Sequence, residues 1–531
     1  MNHIVIGGAW PYANGSLHIG HIAALLPGDV LARYWRAKGR SVFYVSGSDC
    51  HGTPITLRAA KEGRSPRDIS DAYHEEFCRV FESLGFSYDA YTKTSHESHI
   101  AFVRAFHQKL YQSNYVEERT VKQAYCPSCQ KILTDRLIAG TCPSCGAATR
   151  GDQCDACGSI LDVDTVINAR CATCGSALNF GETTQLFLLV SQLEKELKAL
   201  LESRHWRRNA VAFTKRYIDE GLQDRAITRD LDWGIDVPKE GYENKKIYIW
   251  AENVLGYLSA CDGLCRQRGI AFKDVFGEES RHYYVHGKDN IPFHTIILPS
   301  LLIAHGEGFH LPDDIISSEY VTLEGSKIST SRNWAVWAKD MVAQYNPDAI
   351  RYFFLANGPE KRDTDFSWRE FCEQNNTELV GAWGNLVNRT LLFIRKYREG
   401  RIPTGEISET LRHKVADTFD NVGQKIENGF FRDALDEIFA LVRFGNKYYD
   451  SGEPWKTRTQ DPSACFTTLW ECTYLIANLS VLLRPFLPFS SDKLIEWLGF
   501  SSQWKEQIPH AKVVPEAYAA LFERVQNEKV D

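Results

Sequence analysis

Two histidines three residues apart are the first chemically informative feature of this chain. His18 and His21 close the segment Pro11-Tyr12-Ala13-Asn14-Gly15-Ser16-Leu17-His18-Ile19-Gly20-His21. At the first turn of a helix that spacing puts both rings on one face. Such rings can donate hydrogen bonds to a phosphate whose charge grows in a transition state. A second feature is metal-binding in type. Eight of the 15 cysteines form four Cys-x-x-Cys pairs, Cys126/Cys129, Cys142/Cys145, Cys154/Cys157 and Cys171/Cys174. Two thiolates of one tight turn can face one tetrahedral metal, and two pairs complete a closed four-thiolate site. The pairs nearest in sequence, Cys142/Cys145 with Cys154/Cys157, are expected to form an inner site, leaving Cys126/Cys129 with Cys171/Cys174 for an outer one. Gly146, Gly158 and Gly175 each follow a second cysteine, where a knuckle needs positive φ. A third feature is the polar loop Gly325-Ser326-Lys327-Ile328-Ser329-Thr330-Ser331-Arg332.

The elements that must hold these groups can be read from apolar spacing. Ile4-Val5-Ile6 reads as a strand running straight into the histidine segment. A helical pattern follows through Ile22, Leu25, Leu26, Val30 and Tyr34 to Gly39, with Pro27 expected to kink it. A strand, a glycine-containing turn and a helix N-terminus form a phosphate site, because free N–H groups and the helix dipole both face the anion. A second strand, Ser41–Gly47, ends at Asp49-Cys50-His51-Gly52-Thr53-Pro54. Ligands of a doubly wound sheet sit outside the carboxyl ends of its strands, which puts Asp49 and His51 beside the phosphate turn. A Cys- and Gly-rich insertion runs from about 116 to 180, and residues 183–233 read as helices. Ile247–Trp250 and His282–His286 read as further parallel strands, and everything after about 365 reads as helical. The expected fold is α/β: a Rossmann-type doubly wound parallel sheet, interrupted by a zinc-binding insertion and followed by an all-helical C-terminal domain.

Bulk properties limit the function classes. A chain of 531 residues exceeds what one core supports, so several domains are expected. With 44% hydrophobic and 24% charged residues, the composition is that of an ordinary globular protein. No apolar run reaches the roughly 18 residues of a membrane span, and no signal-peptide pattern precedes the first strand. No membrane partner and a cytoplasmic location are therefore expected. A net charge of −7 argues against indiscriminate nucleic-acid binding and against DNA as a partner. RNA contact would need a local patch. Arg204-His205-Trp206-Arg207-Arg208 is one candidate, with a solvated helix end as the competing reading. Disulfides do not suit a large cytoplasmic chain, so the paired cysteines point to two structural zinc ions.

The eleven-residue histidine segment resembles the His-Ile-Gly-His signature of class I aminoacyl-tRNA synthetases, and its Pro-Tyr-Ala-Asn-Gly prefix resembles the methionyl family within that class. Lys327 matches the first lysine of that class's second signature loop, which closes over the pyrophosphate of ATP. Thr330 stands where the second lysine usually does, and Arg332 is left to supply the lost charge. The four-pair insertion and Asn290 resemble the archaeal-type branch.

The resemblance implies site residues. Catalysis would fall to His18, His21 and Lys327. ATP would be held by Asn14, Gly20, Gly287, Asp289, Lys327 and Thr330, with Mg2+ accompanying it. Methionine would be held by Ala9, Trp10, Tyr12, Asp49, Trp250, Tyr257 and His294. Asp49 would take the α-amino group, and the aromatic rings would pack on the thioether, whose polarizable sulfur gains from such contact. Asn385 and Arg389, four residues apart on one helix face, and Trp455 would read the anticodon of tRNA(Met) by stacking and polar contacts to unpaired bases. The implied activity joins L-methionine to tRNA(Met) through an ATP-derived adenylate, in a monomer. Two alternatives stay open from the sequence: an adenylate-forming enzyme with a non-tRNA acceptor, and a non-catalytic tRNA-binding paralogue. The expected division is 1–115 and 233–315 for the two halves of the catalytic sheet, 116–232 for the insertion, 316–364 for a stem-contact region with the lysine loop, and 365–531 for the anticodon-binding helices.

Overall fold

Five strands, β1 (His3–Gly8), β2 (Ser41–Ser48), β3 (Ala90–Lys93), β4 (Ser280–Gly287) and β5 (Asp314–Ser318), form one sheet in the order β5-β4-β1-β2-β3. Every neighbouring pair is parallel. The computed structural model describes residues 3–526, apart from 134–136, 152, 162, 205, 330–333 and 517. Ile4–Ile6, Val42–Val45 and Tyr283–Val285 are buried, as strands covered on both faces must be. The chain order reverses direction at β1, which has β2 on one side and β4 on the other. That reversal opens a crevice at the strands' carboxyl ends.

The helix α1 (Ile19–Ala37) follows β1 and contains Pro27. One face packs on the sheet. On the other, buried Asp29 meets Arg351 of the helix Pro347–Ala356, Nη2 to Oδ2 at 2.7 Å, and both side chains are fully buried. Arg351 also donates to the carbonyls of Leu84, Pro485 and Phe486. Removing one member of such a pair strands a buried charge, at about 3–5 kcal/mol. This joint fixes the histidine-bearing helix against the helical end of the chain.

The insertion is built on a long antiparallel ribbon. Val116–Cys126 pairs with Asn179–Leu188, in register from Val116↔Leu188 to Tyr125↔Asn179. The expectation of helices over 183–233 holds only for Glu194–Ser203 and Arg208–Asp219. The ribbon's distal half is solvated, so it lacks the apolar signature of a strand. The expected parallel strand Ile247–Trp250 is also corrected. Lys246–Ile247 pairs antiparallel with Thr228–Arg229, and Ile249–Ala251 turns into a 3-10 helix. Its apolar residues are buried by Ile160 and Phe293 rather than by flanking strands. A four-residue apolar run does not distinguish these cases.

From Trp368 to Leu498 the chain is almost wholly helical. One helix, Pro462–Leu483, is long and apolar enough to cross a membrane, contrary to the reading of the bare sequence. Its apolar window is 89% buried inside the fold, which marks it as a core helix. The cationic patch at 204–208 is not free either. Arg204 pairs with Asp313 at 2.9 Å, Trp206 is buried, and Arg207 donates to the carbonyls of Ser317 and Gly429. His205 lies outside the described residues.

Candidate active site

A cavity of ≈ 1030 Å³ opens at the carboxyl ends of β1 and β4. His18 and His21 enter it from the mouth of α1. His18 is the N-cap, and its Nδ1 accepts from the Gly20 N–H at 3.1 Å. His21 Nδ1 accepts from the His18 N–H, also at 3.1 Å. The ring centroids are 4.0 Å apart. With both Nδ1 atoms accepting, the proton of each neutral ring sits on Nε2. Burial, reinforced at His18 by its neighbour His21, pushes the two pKa values down to about 2 and about 4. The pair is therefore neutral at pH 7 and retains two N–H donors. Asn14, Gly20, Gly287 and Asp289 line the same cavity.

The aromatic end of the cavity is set by close packing. Trp10 sits between Gly47 and Gly256, where an added Cβ would lie 2.4 Å and 2.5 Å from the indole. No other residue type leaves room for the ring. Tyr257 meets Trp10 edge-on at 6.3 Å, and its OH pairs with His294 Nε2 at 2.8 Å. His294 Nδ1 donates to the Asn290 carbonyl at 2.8 Å. Burial lowers the His294 pKa to about 4, so this ring too is neutral. Trp250 and Ala9 complete the wall. Tyr12 lines the rim and is 38% exposed.

Asp49 is fully buried and does not itself line the cavity. Its Oδ2 accepts from Asn253 Nδ2 at 2.9 Å and its Oδ1 from the His51 N–H at 3.3 Å. Burial first, and then the charge of Glu252, push its pKa up to about 8. Glu252 is locked to His51 Nδ1 at 2.5 Å.

Lys327 reaches the cavity from the pair Ser326–Lys327 and Val321–Leu323, with its Nζ 5.1 Å over the Tyr320 ring. Tyr320 in turn donates to Asp289. The chain beyond the loop is stitched to the histidine segment, the Ile19 N–H to the Val336 carbonyl at 3.1 Å and the Ala338 N–H to the Leu17 carbonyl at 2.8 Å. Thr330 and Arg332 lie outside the described residues.

The buried neutral rings have a consequence for stability. His18, His21, His107, His282 and His294 all have folded-state pKa values lowered by burial. Between pH 4 and 6.5 the unfolded chain binds more protons at these five positions than the folded one. Stability therefore rises with pH through that window. Asp49, Asp314, Asp348, Glu360 and His51, whose pKa values are raised, oppose this, while His3, His74, His99, His286 and His305, also lowered by burial, add to it. The thermal midpoint at pH 5 is expected to lie below that at pH 7, and an equal or higher midpoint would contradict the neutral assignment.

The family model described as "tRNA synthetases class I (M)" matches residues 4–391, and that for the "Anticodon binding domain of methionyl tRNA ligase" matches residues 400–529. The methionine–tRNA ligase of Bacillus cereus (strain AH187) is 49% identical over 99% of this chain and 98% of its own length. Methionine–tRNA ligase 1 of Alkaliphilus oremlandii (strain OhILAs) is 49% identical with the same coverage. The chain belongs to the methionyl-tRNA synthetase family. Its activity is that of a class I ligase joining methionine to tRNA. Identity along the whole length, helical end included, favours this over a non-tRNA acceptor or a non-catalytic paralogue. The fold is that of the solved Mycobacterium tuberculosis methionyl-tRNA synthetase in complex with methionyl-adenylate, with a TM-score of 0.80 at 22% identity over 99% of this chain and all of that one.

Within this methionyl-tRNA synthetase fold the eight cysteines gather as two sets, Cys126/Cys129/Cys171/Cys174 and Cys142/Cys145/Cys154/Cys157. That is the pairing expected from sequence separation. Gly146, Gly158 and Gly175 have φ of +74°, +75° and +75°. In the remaining knuckle Gln130 takes the left-handed conformation at φ +52°, without glycine. Sulfur separations of 3.5–3.9 Å fit a tetrahedral ion, for which thiolates at about 2.3 Å stand about 3.8 Å apart. The inner set also reaches the active site. Gln153, beside Cys154, lines the cavity, and Ile160 packs against Tyr248, Ile249 and Trp250.

The three residues singled out in the synthetase's helical end converge on one helix, Phe431–Gly452. Asn385 Nδ2 donates to Asn446 Oδ1 at 3.1 Å. Arg389 pairs with Asp450 and lies 4.0 Å over the Tyr449 ring. Trp455, 44% exposed, stands 6.2 Å from that same ring. Arg458 over Tyr397, at 4.5 Å, continues the exposed face.

Sequence reading missed Asn253, Gln153, Tyr320 and Arg58, all of which line the cavity. Each is an ordinary polar residue with no motif of its own. Only the long-range contact gives it significance.

Proposed function

We propose that the cavity makes methionyl-adenylate. The carrying observation is that two neutral imidazole donors, a lysine and an aromatic pocket open onto one space. Methionine lies with its thioether against Trp10, Trp250 and Tyr257, bounded by Ala9, Tyr12 and His294, and its α-ammonium group is held by Asp49. ATP lies across Asn14, Gly20, Gly287 and Asp289. The methionine carboxylate attacks the α-phosphorus, and the bond to pyrophosphate breaks. Charge growing on the phosphates is met by Nε2–H of His18 and His21, by the dipole of α1 and by the Lys327 ammonium. No side chain forms a covalent bond. The residues position and stabilise. The magnesium accompanying ATP adds positive charge to the triphosphate. The terminal ribose hydroxyl of tRNA(Met) then takes the methionyl group and releases AMP.

The two cysteine sets fit zinc, each closed by four thiolates, so the metal is structural. Functional divisions follow the chain: 1–115 and 233–315 activate methionine, 116–232 carries the metals, 316–364 brings Lys327, and 365–531 receives the anticodon. The protein acts as a cytoplasmic monomer.

Pyrophosphate exchange over a panel of amino acids tests this reading. Incorporation is expected with L-methionine and only background with the others. Failure with methionine, magnesium and zinc supplied would overturn it. The helical end has a separate test. A stacked base contributes about 1–3 kcal/mol, so Trp455→Ala is expected to raise KM for tRNA(Met) roughly 5- to 100-fold and leave pyrophosphate exchange unchanged. An unchanged KM for tRNA removes Trp455 from anticodon reading.

A further inference from the structure

Behind the aromatic pocket lies a buried polar chain that no motif announces. Glu252 is fully buried, its Oε1 bound to His51 Nδ1 at 2.5 Å and 3.8 Å from His99 Nε2. Among the described residues its Oε2 has no hydrogen-bond partner. His99 Nδ1 pairs with Ser259 Oγ at 2.8 Å, and its ring stands 6.0 Å from that of Trp10. Asp49 is therefore one of two neighbouring buried carboxylates, and the imidazoles of His51 and His99 both face the other. Two carboxylates so placed do not both ionise without further help. Asn253 supplies part of that help, and an arriving cation would supply the rest. This asparagine follows Glu252 directly, opens the 3-10 turn Asn253–Leu255, lines the cavity and donates to Asp49 Oδ2.

We propose that Asn253 is an amine-binding residue of the methionine site: its Nδ2 orients the Asp49 carboxyl just behind the cavity wall, and its Oδ1 and the Asp49 carboxylate accept together from the α-ammonium group, whose charge lets Asp49 ionise. The inference rests on the reading of Asp49 as the ammonium partner. A primary ammonium brings three N–H donors, and an amide offers an acceptor oxygen with no added charge. An aspartate at this position would put a third carboxylate beside two. Trp250 and Asn253 come from one short stretch of chain, so the same turn grips both ends of the amino acid, the thioether with an indole and the amine with an amide. The raised pKa of Asp49 agrees with this. Asn253 is its only side-chain donor among the described residues, so the free carboxylate holds a proton readily, and the arriving cation takes that proton's place.

The test uses the full chain in methionine-dependent pyrophosphate exchange. Asn253→Ala is expected to raise KM for L-methionine at least tenfold, with kcat and KM for ATP within threefold of the parent. Asn253→Ser, which keeps a short donor and acceptor, is expected to recover part of the loss. Methionine without its amine, 4-(methylthio)butanoate, is expected to inhibit parent and Asn253→Ala with equal Ki. An unchanged KM for methionine in Asn253→Ala overturns the proposal. So does an equal loss for the desamino compound, which would mean a collapsed pocket rather than a lost amine contact. Asp49→Asn separates the two layers of the argument. If it leaves KM for methionine unchanged, the reading of Asp49 fails and takes this inference with it. If it raises KM while Asn253→Ala does not, the inference alone fails.

Discussion

His21→Ala lowers methionine-dependent pyrophosphate exchange by two or more decades. The ring contributes one preorganised Nε2–H donor in a water-poor site, and removing one such donor costs about 2.7–4 kcal/mol of transition-state stabilisation. Substitution also removes the acceptor for the His18 N–H, a capping loss of about 1 kcal/mol. The two effects can be separated at the other histidine. In His18→Asn an asparagine stands at the N-cap, where its side-chain oxygen can accept from the Gly20 N–H as Nδ1 of His18 does. Asparagine is among the best N-caps, so the thermal midpoint should hold to within about 2–4 °C. Activity should still fall about 100-fold, because the amide does not reach where Nε2–H was. If His18→Asn stays within tenfold of the parent, the ring serves capping alone. Because both rings are already neutral, the pH profile of kcat should carry no inflection from them between pH 6 and 8.

Loss of the inner cysteine set should disable activation, whereas loss of the outer set should not. Cys145→Ala with Cys157→Ala removes two of the inner four ligands and should lower bound zinc from two ions per chain to one. A structural zinc contributes about 10–16 kcal/mol of apparent folding free energy to an isolated zinc-finger peptide, so its local fold does not survive the ion's loss. Here that fold carries Gln153 into the cavity and Ile160 against Trp250. KM for methionine should rise at least tenfold. Cys129→Ala with Cys174→Ala should also cost one zinc and open residues 126–133 and 171–178 to protease. It should leave exchange within threefold, because among the described residues the outer set carries no cavity residue. Equal losses from both pairs would mean that the whole ribbon, rather than the inner knuckles, supports the pocket.

The sequence by itself determined whatever depends on neighbours a few residues apart. A strand, turn and helix start within 21 residues place two histidines at a dipole end, and the structure has them capping that helix. Cys-x-x-Cys turns followed by glycine adopt the left-handed knuckle at 146, 158 and 175. Both outcomes are local backbone geometry, fixed by spacing and by the absence of a Cβ. Tertiary structure decided the rest, and the reason is distance along the chain. Asp49 acquires its meaning from Glu252 and Asn253, some two hundred positions away. Trp10 needs Gly47 and Gly256 on its two faces. Ile247–Trp250 looked like a strand because burial writes the same apolar run whether sheet neighbours or a cysteine knuckle covers it. The sequence shows no unbroken apolar run of span length, yet Pro462–Leu483 meets the length and composition for one as a helix, and its surroundings in the bundle, not its composition, decide what it is. Spacing sets the direction of a side chain relative to its own element, but only packing decides what lies opposite.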